Sequence, residues 1–165
     1  MKFTNSLRLF AALSAFKAVS AANSFAGSNL GLQSAGMKVP RVWLDGASGE
    51  QKGTAVDAFP DLEPKEIGTY DDTVLERLDT LMLATRAAGI KLLISMHSFN
   101  ALQAGDVYGK QYGTGNFYQD AIPQQQFDAR LTHVLNHKHT TLGKPWSELS
   151  EYIFAFEAQN EASPR

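Results

Sequence analysis

The chain has 165 residues, of which 44% are hydrophobic and 19% charged, and its formal net charge is −2. This size and composition suit one domain with a core of modest size. An acidic balance without a basic stripe argues against nucleic-acid binding, and the lack of cysteine excludes disulfides, so packing alone must stabilise the fold.

The first 21 residues are typical of a secretory signal peptide. Lys2 and Arg8 form a basic start, Leu9–Phe16 is a short apolar run, and small residues precede a cleavage point after Ala21. The apolar run is too short to span a membrane. We therefore expect a secreted protein without membrane association, with a mature domain at 22–165. Its net charge falls from −2 to −5, because the removed segment carries three cationic side chains and no acidic one.

Two strands are predicted first, at residues 24–30, ending near Asn29, and at residues 38–44, which include Arg41 and Trp43. Residues 31–37 between them are too few for a crossover between parallel strands, which needs about a dozen residues or more. We therefore expect the first crossover helix to be missing. The other interpretation is that residues 24–30 form an extended arm that follows the signal.

A long loop is expected over residues 45–69, and a helix over residues 70–88. The segment Thr69–Asp72 supplies capping oxygens, and Gly89 is the expected stop. The apolar side chains recur at helical spacing and predict a core face rather than a cofactor site; they are Val74, Leu78, Leu81 and Met82, with Thr85.

The second half alternates in the same way. Residues 90–97 predict a buried strand ending in His97, followed by a glycine-rich loop over residues 98–122 whose aromatic side chains either stack on sugars or pin the loop down. A helix is predicted over residues 123–139 and a last strand over residues 153–159. Strands that alternate with helices predict an α/β fold with a parallel sheet.

Polar side chains stand at the end of each predicted strand: Asn29, Arg41 with Trp43, His97, and the pair Asn160–Glu161. In a parallel barrel these ends meet at one rim, where catalytic residues lie. A carboxylic acid beside a hydrogen-bonding amide suits protonation of a glycosidic oxygen. The structural alternative is a buried strand that runs into an ordinary polar turn.

The sequence here resembles glycoside hydrolase family 5, through Arg41–Leu44, His97 and Phe156–Glu161. The run Ile67–Asp72, with Phe117–Tyr118 and His137–His139, is similar to the fungal secreted mannanase- or cellulase-like members. The resemblance implies a (β/α)8 barrel and retaining hydrolysis of β-1,4-linked mannan or glucan.

By the same resemblance, each site residue receives a role. Glu161 is the catalytic acid/base and Asn160 contacts the sugar. Arg41 holds the nucleophile carboxylate, while His97, Trp43 and Asn29 line the substrate subsite.

The sequence also departs from the family pattern. The family's nucleophile is a glutamate on the seventh strand, whereas this chain stops at Arg165 after the fourth, about half of a barrel of roughly 250 residues. Glu157 is an unsuitable substitute, because four extended residues place it about 13 Å from Glu161, against roughly 5–5.5 Å in a retaining pair. We therefore expect the first four β/α units, and little or no activity from this chain.

Three other interpretations compete with this one, of which the first is a metal site. His133 and His137 have a spacing compatible with a metal, but no acidic partner follows on that helix, so we expect neither a metal nor another cofactor. The chain is alternatively a non-catalytic secreted fragment that binds carbohydrate, or an inactive truncated gene product or gene-model error.

Overall fold

The computed structural model describes residues 36–47, 49–51, 54–55 and 57–163. The predicted signal, the predicted strand at 24–30 with Asn29, and residues 31–35 of the shortened crossover lie outside these residues. The described elements, in chain order, are β1 (Arg41–Trp43), β2 (Glu50–Gln51), β3 (Thr54–Ala55), α1 (Thr73–Ala87), β4 (Leu92–Ser95), α2 (Phe99–Ala104), α3 (Val107–Gln119), α4 (Ala121–Asn136), a 3-10 turn (Trp146–Glu148) and β5 (Ile153–Glu157).

The main sheet has three parallel strands in the order β1-β4-β5. The α/β architecture and the three parallel strands predicted over this part of the chain are confirmed. Val42 pairs with Ile94 and Ile94 with Phe156, so these three side chains share the face that packs on the helices. Trp43, Ser95 and Glu157 are aligned on the opposite face, because side chains alternate along each strand.

Helix α1 covers the first of these faces. The predicted apolar stripe is buried, and Thr85 joins it by donating its hydroxyl to the carbonyl of Leu81 at 3.0 Å. Full burial of each leucine contributes about 1.5–3 kcal/mol. The helix ends two residues before Gly89, whose φ of 70° favours glycine. The expected capping differs in detail, because Asp71, not a side chain at the cap position, accepts from the Thr73 amide at 3.1 Å.

Asp79 ties α1 to the segment that precedes β5. Its carboxylate accepts from the Trp146 indole at 2.7 Å, the Thr140 amide at 2.8 Å and His137 at 3.1 Å. Burial opposes ionisation, but the hydrogen bonds from His137, Thr140 and Trp146 together lower the pKa of Asp79. A buried carboxylate thereby joins residues more than 50 positions apart in the sequence.

The prediction of a loop over residues 98–122 is wrong, because α2 and α3 occupy most of it. The Ser98 hydroxyl caps α2, and the Asp106 carboxylate caps α3 by accepting from the Gly109 amide at 2.7 Å. Burial of Tyr108 and Phe117 outweighs the low helix propensity of the intervening glycines. Gly113 interrupts α3 with a φ of 67°.

Two other regions differ from prediction: the long loop at 45–69 and the bounds of helix α4. The long loop at 45–69 contains the short antiparallel pair β2–β3 and a bridge between Ala47 and Phe59. Helix α4 starts at Ala121 and ends at Asn136, since the next residue leaves helical geometry with a ψ of 124°. Among the described residues, no helix is both long and apolar enough to cross a membrane.

Candidate active site

Arg41 is the hub of the polar groups at the carboxyl ends of the strands. Its Nη1 donates to Asn160 Oδ1 at 2.7 Å and lies 3.4 Å from Glu157 Oε1, while its guanidinium lies 5.0 Å from the centre of the Trp43 ring. The short bond to Asn160 is the better hydrogen bond, because 3.4 Å is beyond the usual N–H···O distance. The structure thus brings together four residues that are up to 119 positions apart in sequence.

Glu157 points from β5 into the same group. One of its carboxylate oxygens faces Arg41, and the other, Oε2, is buried without a hydrogen-bond partner. The side chain of Arg41 is 39% exposed, so solvent screens this ion pair and it adds little stability.

Asn160 and Glu161 point in different directions. Asn160 is 6% exposed, and its backbone bridges the end of β4 by donating to the His97 carbonyl at 2.9 Å and accepting from the Phe99 amide at 3.0 Å. Glu161 is exposed and adopts a φ of 56°. Such a conformation is uncommon for a residue other than glycine and costs about 1–3 kcal/mol. Surrounding contacts must therefore hold this turn in place.

His97 is 1% exposed and both ring nitrogens are engaged. Nε2 lies 2.6 Å from Asp106 Oδ2, and Nδ1 lies 2.9 Å from Gln159 Nε2. The rings of Tyr108, Phe117 and Phe127 surround it, with centroids 5.3–5.8 Å away. Burial opposes ionisation of Asp106, but the hydrogen bonds from His97 and from the Gly109 amide lower its pKa overall.

A buried ion cluster lies against the segment that follows β4. Arg130, 1% exposed, donates to Glu63 at 2.8 Å and to the Met96 carbonyl at 3.1 Å. Close by, the Ser98 hydroxyl donates to Asp45 at 3.1 Å. Burial, and then the neighbouring charge of Asp61, raise the pKa of Asp45.

The site contains three contributors that the sequence analysis did not assign. Asp106 occupies a helix-capping position, because its carboxylate accepts from the Gly109 amide three residues later. An aspartate just before a helix is a capping signal that the sequence offers. Gln159 directly precedes the Asn–Glu pair, yet nothing in its sequence position reveals that it contacts His97. Tyr118 belongs to the aromatic segment noted in the sequence, and its hydroxyl donates to Gln159 Oε1 at 2.7 Å.

An apolar pocket of about 340 Å³ adjoins these residues; it is lined by Phe117, Tyr118, Gln124, Phe127, Ala158, Gln159 and Ala162. The histidines considered as metal ligands lie away from this pocket. His133 Nε2 forms a hydrogen bond with Asp72 Oδ1 at 2.7 Å, and His137 Nε2 forms one with Asp79 Oδ2 at 3.1 Å. Among the described residues, no group of three or more His, Asp or Glu side chains is arranged to hold a metal ion.

Comparison with known proteins finds likeness in structure only. Neither a family model nor a curated protein sequence matches this chain. An endo-1,4-β-mannanase from Rhizomucor miehei matches with a TM-score of 0.63 and 19% identity, over 83% of this chain and 39% of that one. An endo-β-1,4-mannanase from Thermotoga petrophila matches with a TM-score of 0.58 and 21% identity, over 81% of this chain and 30% of that one.

A glycoside hydrolase family 5 mannosidase from Rhizomucor miehei gives a TM-score of 0.57 at 16% identity, over 80% of this chain and 37% of that one. This chain thus spans less than half the length of these solved structures. At such identities the likeness is one of fold. The chain has an α/β fold with a parallel sheet that matches part of the TIM barrel of glycoside hydrolases.

Proposed function

We propose that this chain is a glycoside hydrolase-type protein of the family 5 kind, which recognises a β-1,4-linked polysaccharide, mannan or glucan. The observation that carries the proposal is the Arg41–Asn160 hydrogen bond of 2.7 Å directly beside Glu161, at the carboxyl ends of parallel strands. That fold is matched by two mannanases and a mannosidase, which adds support. We also propose that the protein is secreted, from the signal-like residues 1–21.

In this proposal Glu161 is the acid/base that protonates the glycosidic oxygen. Asn160 presents its NH2 group to a sugar hydroxyl, because its oxygen already accepts from Arg41. Trp43 supplies an aromatic ring on the same face of the sheet. His97 shapes the subsite from its buried position, and the role of Asn29 stays a prediction by resemblance.

Hydrolysis with retention needs a second carboxylate about 5–5.5 Å from the acid/base. Glu157 faces Arg41, but it stands only four residues before Glu161 on the same segment, whereas the family resemblance places the second carboxylate on a separate strand. We therefore propose that the nucleophile comes from outside the described residues, and that the described site binds sugar without completing turnover. Losing one of two carboxylates that act in separate steps costs several orders of magnitude in rate.

The test is to offer the purified chain mannotetraose and cellotetraose in calorimetry, and β-mannan, cellulose and aryl β-glycosides in a turnover assay. Glu161→Gln is compared with Glu151→Gln, a matched exposed glutamate that pairs with Arg86 away from the site. We expect binding that Asn160→Ala weakens, with no more than trace turnover.

Two outcomes would change the proposal. If no oligosaccharide binds to the wild-type chain, carbohydrate recognition is wrong. Robust turnover that Glu161→Gln abolishes and Glu151→Gln preserves would support the acid/base role. It would also show that our account of the second carboxylate is wrong.

A second candidate function is non-catalytic carbohydrate binding in the apolar pocket beside Gln159. The pocket favours it because the rings of Phe117, Tyr118 and Phe127 line about 340 Å³ next to the polar group of Gln124. Binding that Asn160→Ala leaves unchanged, and that Gln124→Ala weakens, would favour this function over the first.

A further inference from the structure

A chain of hydrogen bonds runs from Asp106 to Tyr118 and ends at the turn of residues 159–163, which carries Glu161. Asp106 Oδ2 lies 2.6 Å from His97 Nε2, and His97 Nδ1 lies 2.9 Å from Gln159 Nε2. The Tyr118 hydroxyl then donates to Gln159 Oε1 at 2.7 Å. These residues come from the turn before α3, the end of β4, the segment after β5 and the end of α3. Four segments of the fold thus meet in one chain of contacts.

Two groups that can act in only one way set the direction of these bonds. An ionised Asp106 can only accept, so His97 Nε2 donates to it, and the NH2 group of Gln159 can only donate, so His97 Nδ1 accepts. The Gln159 NH2 group therefore donates to Nδ1, which turns Oε1 toward Tyr118. The single phenolic proton of Tyr118 is used in that bond. Because His97 is 1% exposed, water cannot readily replace any of its partners.

Tyr118 also contacts the far side of the turn that carries Glu161. Its phenolic oxygen faces the Ser163 amide nitrogen at 3.4 Å, a long and weak contact, while its proton goes to Gln159 at 2.7 Å. One phenol therefore spans residues 159 and 163, and Glu161 lies midway between them with its unusual φ of 56°. The backbone of Asn160 is fixed to β4, so the exposed carboxylate sits on a short turn held at both ends.

We propose that Tyr118 is a positioning residue that holds the 159–163 turn, and with it Glu161, in the geometry needed for proton donation. Gln159 links the Asp106–His97 pair to Tyr118, because its NH2 group donates to His97 and its oxygen accepts from Tyr118. This inference rests on the proposed function for the meaning of Glu161, but the hold on the turn is a separate physical statement. It therefore needs a measurement that does not depend on sugar.

Tyr118→Phe removes only the hydroxyl and keeps the ring that packs on Phe117 at 5.0 Å. Its matched control is Tyr112→Phe on the same helix; among the described residues its hydroxyl forms hydrogen bonds with Gln126 at 2.7 Å and with Gln111, and none with the turn. Gln159→Leu removes both side-chain bonds. Gln159→Glu is the conservative partner, because a carboxylate still accepts from Tyr118.

Nitrogen-15 NMR measures two quantities: the protonation of each His97 nitrogen, and the backbone order of residues 160–162. We expect wild-type His97 to be protonated on Nε2 alone. Backbone order parameters near 0.85 in rigid segments should fall toward about 0.6 in Tyr118→Phe and Gln159→Leu. Tyr112→Phe should leave them unchanged. Gln159→Glu should keep the order of residues 160–162 near its wild-type value, because its carboxylate still accepts from Tyr118.

Mannotetraose affinity supplies the functional arm. Loss of one neutral hydrogen bond that orders the turn should weaken binding about fivefold in Tyr118→Phe, and not in Tyr112→Phe. If Tyr118→Phe leaves the order of residues 160–162 equal to that of Tyr112→Phe, the positioning role is overturned. If wild type binds no sugar but the turn loses order as expected, the proposed function fails and the hold by Tyr118 stands.

Discussion

Replacement of Arg130 by methionine should strongly destabilise the fold. Arg130 is 1% exposed, and burial opposes its charge, yet Asp61 and Glu63 raise its pKa overall. Methionine fills much of the space of the aliphatic stem but leaves the carboxylate of Glu63, 2% exposed, without its 2.8 Å partner. Removing one member of a buried pair costs about 3–5 kcal/mol. We expect Arg130→Met to lower the free energy of unfolding by that amount.

The measurement is urea unfolding at pH 7, followed by circular dichroism and tryptophan fluorescence. Glu63→Gln in the Arg130→Met background removes the stranded charge while an amide oxygen still accepts from Gly68, a bond of 2.6 Å in the wild type. The double variant should therefore recover about 1–3 kcal/mol relative to simple addition. Arg86→Met is the control, because its pair with Glu151 is exposed and worth less than about 1 kcal/mol.

Two results would refute this reasoning. One is a loss below about 1 kcal/mol in Arg130→Met, which would place the cluster in the weak class of surface pairs. The other is strict additivity of the two substitutions, since residues in one buried network should couple by about 0.5–3 kcal/mol.

Two further predictions concern pH and packing. Asp79→Asn should cost about 1.5–3 kcal/mol at pH 7, a contribution lost as pH falls below about 4, because the pKa of Asp79 is lowered. Gly109→Ala should destabilise the fold, because a Cβ would overlap the Leu102 carbonyl oxygen, whereas Gly115→Ala has open space and should stabilise α3.

Denaturant titrations at pH 3.5 and pH 7 check the contribution of Asp79. An unchanged Asp79→Asn would contradict the anchoring of the segment before β5. For the glycines, thermal melting is measured. A melting temperature that rises in Gly109→Ala as it does in Gly115→Ala would mean that the close approach at Gly109 is relieved at little cost.

The strand pattern was predictable because it depends on local chemistry. Short apolar runs followed by polar residues placed β1, β4 and β5 within a few residues of their observed bounds. The stripe from Val74 to Thr85 placed α1 in the same way. The contacts of Arg41 with Asn160 and Trp43, and the backbone bond from Asn160 to His97, followed from the parallel order, since carboxyl ends of parallel strands share one edge.

What failed depended on tertiary contacts. Glycines at 105, 109, 113 and 115 indicated a loop, but the burial of Tyr108 and Phe117 around His97 stabilises two helices there. The bonds that Gln159 makes to His97 and Tyr118 join residues 62 and 41 positions apart, and no local spacing encodes them. The pairing of Arg41 with Glu157 likewise emerges only when both strands are in register with β4.

The central position of β4 has a consequence for how the molecule opens. Within the described residues, β4 is paired on both sides, whereas β1 and β5 are each paired with β4 alone. The Leu92 amide donates to the Tyr152 carbonyl and the Leu93 amide to the Pro40 carbonyl, so opening of one neighbour releases only some amides of β4, and complete exchange of β4 requires both neighbours to open. Those of β5 should exchange through smaller, local openings. The turn that carries Glu161 follows β5, so the rim would detach before the centre of the sheet is exposed.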